Sequence, residues 1–235
     1  MTGGKISSIS FVFPMFNERE NIEETVRRAS KLAAEITDDY EIIMSDDAST
    51  DGSGDAADAM AAKDIRVKSV RLKKNTKFGG ALKAGLAVAS KEVVIYTDSD
   101  FPAKEDDIKN ALALLEHADV VTAYSLVIKD TSLKRILMSK VYNFLVRNLF
   151  GLRIKDINSG LKIYRRAVLQ GMNLRSQSPF VDFEIFAEAA KRGFKIEQYG
   201  LIFELRTRGA STISRLGVVA RTFWDMLVYK FFRLS

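Results

Sequence analysis

The sequence predicts an α/β fold, a mostly parallel central sheet flanked by helices, on three observations. Short apolar runs alternate with helical periods over the first 125 residues, and each run ends in a polar or glycine-containing cluster. The 235 residues are 47% hydrophobic and 28% charged with three prolines, the composition of one sizeable globular domain and not of a disordered or fibrous chain. Strand–helix alternation of this kind implies right-handed crossovers, helices on both faces of the sheet, and ligands at the carboxyl ends of the strands.

The elements follow in order. An apolar run at Ile9–Phe13 stops at Pro14, and from Glu18 the residues Ile22, Val26, Ala29, Ala33 and Ile36 recur at helical spacing. Glu41–Ser45 reads as a strand, Ser53–Ala62 as a helix, Arg66–Leu72 as a strand, Gly79–Ser90 as a helix and Val93–Thr97 as a strand. Lys104–Glu116 places Ile108, Leu112 and Leu115 on one helical face and leads into a strand at Asp119–Ala123. Beyond residue 125 the alternation ends. A basic amphipathic stretch (131–150), a turn at Asp156–Gly160, a strand at Leu161–Tyr164, a helix near Phe180–Arg192, a strand at Lys195–Leu205 and a last helix from about Ile213 complete the chain.

Composition removes several chemistries. Without cysteine there is no disulfide, thiolate metal site or cysteine nucleophile, and the single histidine, His117, reads as a surface or helix-end residue, so triads and three-histidine zinc sites are excluded. The formal charge of +6 is local. Residues 131–155 carry six Lys/Arg and no acid, residues 208–235 carry five against Asp225, and the remainder is mildly acidic. Both basic segments are rich in large apolar side chains, among them Leu137, Val141, Phe144, Trp224 and Phe231, which suits an anionic lipid surface better than nucleic acid. No apolar run reaches the roughly 18 residues that cross a bilayer, and the polar N-terminus lacks a secretory core, so the expected location is cytoplasmic, peripheral on the cytoplasmic face of the membrane. On the C-terminal helix Arg221, Asp225, Tyr229 and Arg233 trace a narrow polar stripe in an otherwise apolar circumference; such a helix lies in lipid, packs on another subunit, or precedes spanning segments.

Four polar clusters fall at strand exits. Asp98 and Asp100, in VVIYTDSD, put two carboxylates on one side of an extended segment, a pair that can hold one hard divalent cation together with substrate phosphates and water; a strand-end turn capping the next helix is the plain alternative. In DDASTDG, Ser53 or Asp51 suits a helix cap, whereas Asp46 and Asp47 are placed to accept hydrogen bonds from a nucleobase or a ribose hydroxyl. In PMFNE, Asn17 with Glu20 has the spacing of a capping box and Glu18 is surplus to it. KNTKFGGA enters a helix through glycines, where backbone amides and Lys77 could face phosphates.

The order and spacing of PMFNE, DDASTDG, NTKFGGA and DSD resemble the nucleotide-sugar-binding half of family 2 glycosyltransferases of the GT-A fold. DINSGLKIYRR at Asp156–Arg166, SPFVDFEI at Ser178–Ile185 and RTRGAST at Arg206–Thr212 are similar to the polyprenyl-phosphate (dolichyl-phosphate) mannosyl- and glucosyltransferases of that family. The resemblance implies a GT-A (Rossmann-like) catalytic domain over 1–212, with a nucleotide-sugar-binding half (1–125) and an acceptor half (126–212), then a C-terminal membrane-associating amphipathic helix (213–235). It further implies that Pro14, Phe16, Glu18, Asp46, Asp47, Lys77, Gly79 and Asp98 bind a UDP- or GDP-linked sugar. Asp98 and Asp100 would hold Mg²⁺ or Mn²⁺, and Asp156, Glu184, Arg206 and Arg208 would serve the acceptor and the reaction. Mannosyl members usually carry glutamine where this chain has Pro102, and the following AKEDDI resembles the glucosyl branch. The activity implied is inverting transfer of a hexose (from UDP-glucose or GDP-mannose) to a polyprenyl phosphate at a membrane surface, without nucleic-acid partners. A soluble glycan or protein acceptor is the alternative. A lipid phosphate, about −1.5 to −2 at neutral pH, needs no strong base. Arg206, Arg208 and Lys162 would hold it through charge-assisted bonds.

Overall fold

The computed structural model describes residues 6–127, 133–204 and 216–232. Strands β1 (Ser8–Met15), β2 (Asp39–Asp46), β3 (Val67–Arg71), β4 (Val93–Thr97), β5 (Val120–Ser125), β6 (Leu161–Arg165) and β7 (Ile196–Leu201) form one sheet in the order β3-β2-β1-β4-β6-β5-β7. All neighbours are parallel except β6, which runs antiparallel to both β4 and β5. The doubly covered strands are apolar on both faces, as a buried parallel sheet requires, and all eight residues of β1 are buried.

One face packs on α1 (Ile22–Ile36), α2 (Ser53–Ala61) and α4 (Glu105–Ala113), with Phe11, Phe13, Ile42, Ile95, Ile163 and Leu32 at its centre. The other packs on α3 (Lys77–Val88), α5 (Leu133–Phe150), α6 (Arg166–Leu169), α7 (Phe180–Lys191) and α8 (Leu216–Phe232). There Phe180, Phe183, Phe150 and Tyr229 pack ring against ring at 4.5–5.9 Å, each pair adding about 0.5–1.5 kcal/mol beyond its burial. The elements read from the sequence are present with boundaries moved by a few residues, and the short α6 is an addition. The 195–205 strand is shorter than read and ends at Leu201, while the start of the last helix at Ile213 lies outside the described residues. His117 ends a 3₁₀ turn at Leu114–Glu116 and is exposed, as expected.

Two local readings are corrected. Asn17 does not cap α1. It has φ +57°, its side-chain oxygen accepts the Thr50 amide, and the residue preceding the helix is Asn21, whose side chain makes no cap bond. Asparagine tolerates this left-handed conformation, so it serves the loop. At α2 the residue before the helix is Gly52 at φ +88°, and Asp51 from one position further back accepts the Ser53 amide at 2.9 Å.

Candidate active site

The carboxyl ends of β1, β2 and β4 lie on one rim, and because β6 is antiparallel its first residue, Leu161, pairs with Thr97 on that same rim. The Asp156–Gly160 turn is thereby delivered beside Asp98–Asp100. Thr97 Oγ1 donates to the Gly160 carbonyl at 2.8 Å, and a Cβ on Gly160 would stand 3.0 Å from Asp98 Oδ2, so the turn lies tightly against that carboxylate.

The loops after β1 and β2 are stitched together. Ser49 Oγ accepts the Asn17 amide and Ser53 Oγ accepts the Glu18 amide, both at 2.8 Å, and Asp51 accepts the Arg19 amide at 3.1 Å. Glu18 takes the Asn21 side-chain amide at 2.7 Å. Asp46 and Asp47 are both buried. One Asp46 oxygen accepts the Ser49 amide at 3.1 Å, and Oδ2 is buried with no hydrogen-bond partner. That oxygen is packed under α2, where a Cβ on Gly54 would come within 2.7 Å of it, and a buried carboxylate oxygen left unpaired is costly. Asp47 differs: its Oδ1 takes the Thr76 amide at 2.5 Å and the Thr76 hydroxyl at 2.9 Å, holding the entrance to α3. Burial raises the Asp47 carboxyl above its usual range although the Thr76 bonds favour its charged form.

Lys77 is exposed at φ +66° at the start of α3. Gly79 has a different task from the one read in the sequence. Its amide donates to the Gln177 carbonyl at 2.8 Å, and a Cβ there would come within 2.6 Å of the Ser176 carbonyl oxygen. Its missing side chain therefore lets α3 close on the 174–178 loop. Glu184 belongs to the same seam: it is buried on α7, and its Oε2 accepts the amides of Arg175 and Ser176 at 3.0 and 2.9 Å. Lys83 donates to the Leu174 and Arg175 carbonyls. Glu184 thus supports the loop.

Asp98 is half-buried, and its Oδ1 accepts the Tyr96 hydroxyl at 3.0 Å. Beneath them lies a group the sequence reading did not assemble. Lys162 on β6 is fully buried, 3.1 Å from Asp182 Oδ2, 2.6 Å from the Ser159 carbonyl and 4.7 Å from the centre of the Tyr96 ring. It is therefore not available to an acceptor phosphate, as had been read. Burial pushes the Asp182 carboxyl up to about 6, with Lys162 pulling in the other direction.

Asp156 is half-buried in its turn and close enough to Asp182 to raise the latter's pKa further. Pro14 and Phe16 flank the end of β1 at the rim, Pro14 within the strand and Phe16 one residue after it. Asp100 follows β4 in the turn closed by the Phe101 amide on the Asp98 carbonyl at 2.9 Å. Arg206 and Arg208 lie outside the described residues. Among the described residues no group of three or more His, Cys, Asp or Glu could hold a metal by itself. The donor set of two carboxylates at a strand exit is instead what Mg²⁺ or Mn²⁺ takes when phosphates complete the shell.

Comparison with known proteins agrees with this architecture. The family model described as Glycosyl transferase family 2 matches residues 10–172. An undecaprenyl-phosphate 4-deoxy-4-formamido-L-arabinose transferase of Yersinia enterocolitica is 27% identical over 210 residues, 84% of this chain and 64% of the relative. Glycosyltransferase AglD of Haloferax volcanii is 26% identical over 94% of this chain and 38% of its own length. The chain thus spans less than two thirds of either relative. Glucosyl-3-phosphoglycerate synthase from Mycobacterium tuberculosis, solved with Mn²⁺, uridine diphosphate and phosphoglyceric acid, superposes with a TM-score of 0.71 at 20% identity, covering 95% of this chain and 78% of that one. That likeness gives the fold, which is GT-A. With a seven-stranded sheet of this topology, acids gathered on its rim and a family model covering most of the chain, this protein belongs to glycosyl transferase family 2, where it is related to polyprenyl-phosphate sugar transferases.

Proposed function

We propose that the chain is an inverting, metal-dependent hexosyltransferase that moves a sugar from a nucleotide-sugar, UDP-glucose or GDP-mannose, to a polyprenyl phosphate at a membrane surface. The observation that carries this reading is the meeting of the Asp98–Asp100 carboxylates with the Asp156–Gly160 turn on one rim. The relatives named for undecaprenyl-phosphate support the acceptor class, and the Mn²⁺ and uridine diphosphate of the M. tuberculosis enzyme support the donor and the cation.

In this reading Pro14, Phe16, Glu18, Asp46, Asp47 and Lys77 line the nucleotide side. Asp98 and Asp100 hold Mg²⁺ or Mn²⁺ on the diphosphate. A bound cation would neutralise charge on the departing nucleoside diphosphate. Asp156 orients the acceptor, Arg206 and Arg208 bind its phosphate, and Glu184 keeps the loop between the halves in place. The phosphate's own charge makes it nucleophilic at neutral pH, which suits a site whose lone histidine is remote.

The acceptor's membrane location is supported by α5 and α8. They pack side by side through Tyr142 on Phe223 and Phe150 on Tyr229, with Lys230 donating to the Leu149 carbonyl at 2.8 Å. Yet Leu137, Val141 and Phe144 on α5, and Trp224 (60% exposed), Leu227, Val228, Phe231 (67%) and Phe232 (78%) on α8, face outward. Lys140, Arg147 and Lys155 surround a groove of about 460 Å³ beside α5, floored by Val141, Phe144 and Ile154. Cations around outward apolar residues suit an anionic bilayer, at about 1 kcal/mol per basic residue near its surface. No helix among the described residues is long and apolar enough to cross a membrane.

Incubation of the purified protein with labelled UDP-glucose or GDP-mannose and a polyprenyl phosphate, with and without chelator, tests the reading. Transfer to the lipid phosphate that is lost with chelator and in Asp98→Asn is expected. Transfer only to soluble saccharides or proteins would replace the acceptor assignment.

A further inference from the structure

A buried ion pair in the second half of the chain is wired to the carboxylate that the first half supplies to the site. Lys162 lies on the face of β6 that looks toward α7, between Tyr96 of β4 and Asp182, and none of the three side chains reaches solvent. Its ammonium makes three contacts in three directions. Asp182 Oδ2 at 3.1 Å neutralises it, the Ser159 carbonyl at 2.6 Å ties it to the acceptor-side turn, and the Tyr96 ring at 4.7 Å receives it from the face. Tyr96 then spends its hydroxyl on Asp98 Oδ1 at 3.0 Å. The same turn reaches Asp98 from outside, where a Cβ on Gly160 would stand 3.0 Å from Oδ2.

A half-buried aspartate on a turn has several rotamers, and a ligand to a divalent ion must hold one of them. The tyrosine donor fixes Oδ1, and Oδ2 lies against the Gly160 end of the turn. The tyrosine ring is itself fixed by the lysine beneath it, and the lysine by the acceptor turn and α7. Burying two charges for packing alone is a poor bargain, since an apolar pair of similar volume is commonly as stable or more so.

We propose that Lys162, with Asp182 and Tyr96, is a positioning unit that sets the Asp98 carboxylate for a metal-bound nucleoside diphosphate and couples that carboxylate to the acceptor turn. The proposal rests on the assignment of Asp98 as a metal ligand, and the variants separate the two. Three are compared with the parent protein: Tyr96→Phe, which removes one hydroxyl; the double variant Lys162→Met with Asp182→Leu, which leaves no orphaned charge; and Asp98→Asn. Calorimetry reads the binding of UDP and of GDP, each with and without Mn²⁺, and thermal melting reads stability.

Asp98→Asn is expected to abolish the Mn²⁺-dependent part of nucleotide binding. Tyr96→Phe is expected to weaken that part about tenfold, in keeping with loss of a hydrogen bond to a charged group, and to leave metal-free binding and the melting temperature unchanged. The double variant should likewise weaken the Mn²⁺-dependent part and spare metal-free binding, with a melting temperature equal to the parent's or higher. A structural role alone would lower stability and both kinds of binding together. If Asp98→Asn abolishes the Mn²⁺-dependent part while Tyr96→Phe matches the parent, the positioning role is wrong and the metal assignment stands. If Asp98→Asn itself changes nothing, both fall. Should the double variant not fold, Tyr96→Phe decides.

Discussion

On α1 the inward positions are Ile22, Val26, Ala29, Leu32 and Ala33, and Glu23, Glu24 and Arg27 meet water. On α8 the inward positions are Thr222, Asp225, Met226 and Tyr229, whereas Trp224, Leu227, Val228 and Phe231 are turned outward. Asp225 is held by the hydroxyls of Ser176 and Ser178 at 2.6 and 2.8 Å and by Arg221 at 2.9 Å. The first helix is amphipathic in the ordinary sense, apolar toward the sheet. The second docks through a mixed face, Asp225 beside Met226 and Tyr229, and leaves large apolar residues turned outward. Outward apolar patches of this kind mark an interaction surface, so the two helices present different faces to their surroundings.

That contrast can be broken at either end. The largest effect is expected from Leu32→Ala, which opens a cavity under α1: about 2–5 kcal/mol of stability should be lost in urea unfolding, with vesicle binding of the folded protein unchanged. The second half of the chain adds a pH dependence of its own. Burial raises Asp182 from 3.8 to about 6, so the folded chain keeps that proton more tightly than the unfolded one. Its stabilising contribution is complete below about pH 4, is lost as pH rises through about 6, and amounts to up to about 3 kcal/mol. Urea titrations from pH 4 to 7 should show this slope in the parent and not in the Lys162→Met, Asp182→Leu variant.

At α8, replacing Trp224, Leu227 and Phe231 together by serine should lower partition into anionic vesicles on the order of 100-fold without shifting the melting temperature. Unchanged partition would remove the bilayer as the medium these residues meet. The smallest change is expected at the seam between the halves. A methyl group on Gly79 would meet the Ser176 carbonyl oxygen at 2.6 Å, so Gly79→Ala should cost about 1–3 kcal/mol and widen the gap between α3 and the 174–178 loop, read by hydrogen exchange of the Gly79 amide.

The contrast also marks where sequence reasoning succeeds. Strand exits in the first half were legible because apolar runs ending in Asp, Asn and Gly have few other uses; Asp46, Asp98 and Glu18 fall on one rim as read. The second half was less legible since its decisive partners are distant in sequence. Nothing local tells that β6 runs against its neighbours, that Lys162 is buried on Asp182, or that Glu184 holds the amides of a loop eight and nine residues before it. The polar stripe on α8 was visible as a pattern, but periodicity does not say which side faces the protein: Asp225 and Tyr229 turn inward beside Met226, whereas Arg221 is exposed. Gly79 was read for its exposed amide, whereas tertiary packing uses its lack of a side chain.

The reversed direction of β6 has one more consequence. With β4 and β5 both pinning its alignment, the strand cannot slip by one place without exchanging Lys162 for Ile163 and turning every side chain to the opposite layer. A residue added to the preceding bend, which no ladder holds, would therefore bulge outward there and leave the register of the strand behind it intact.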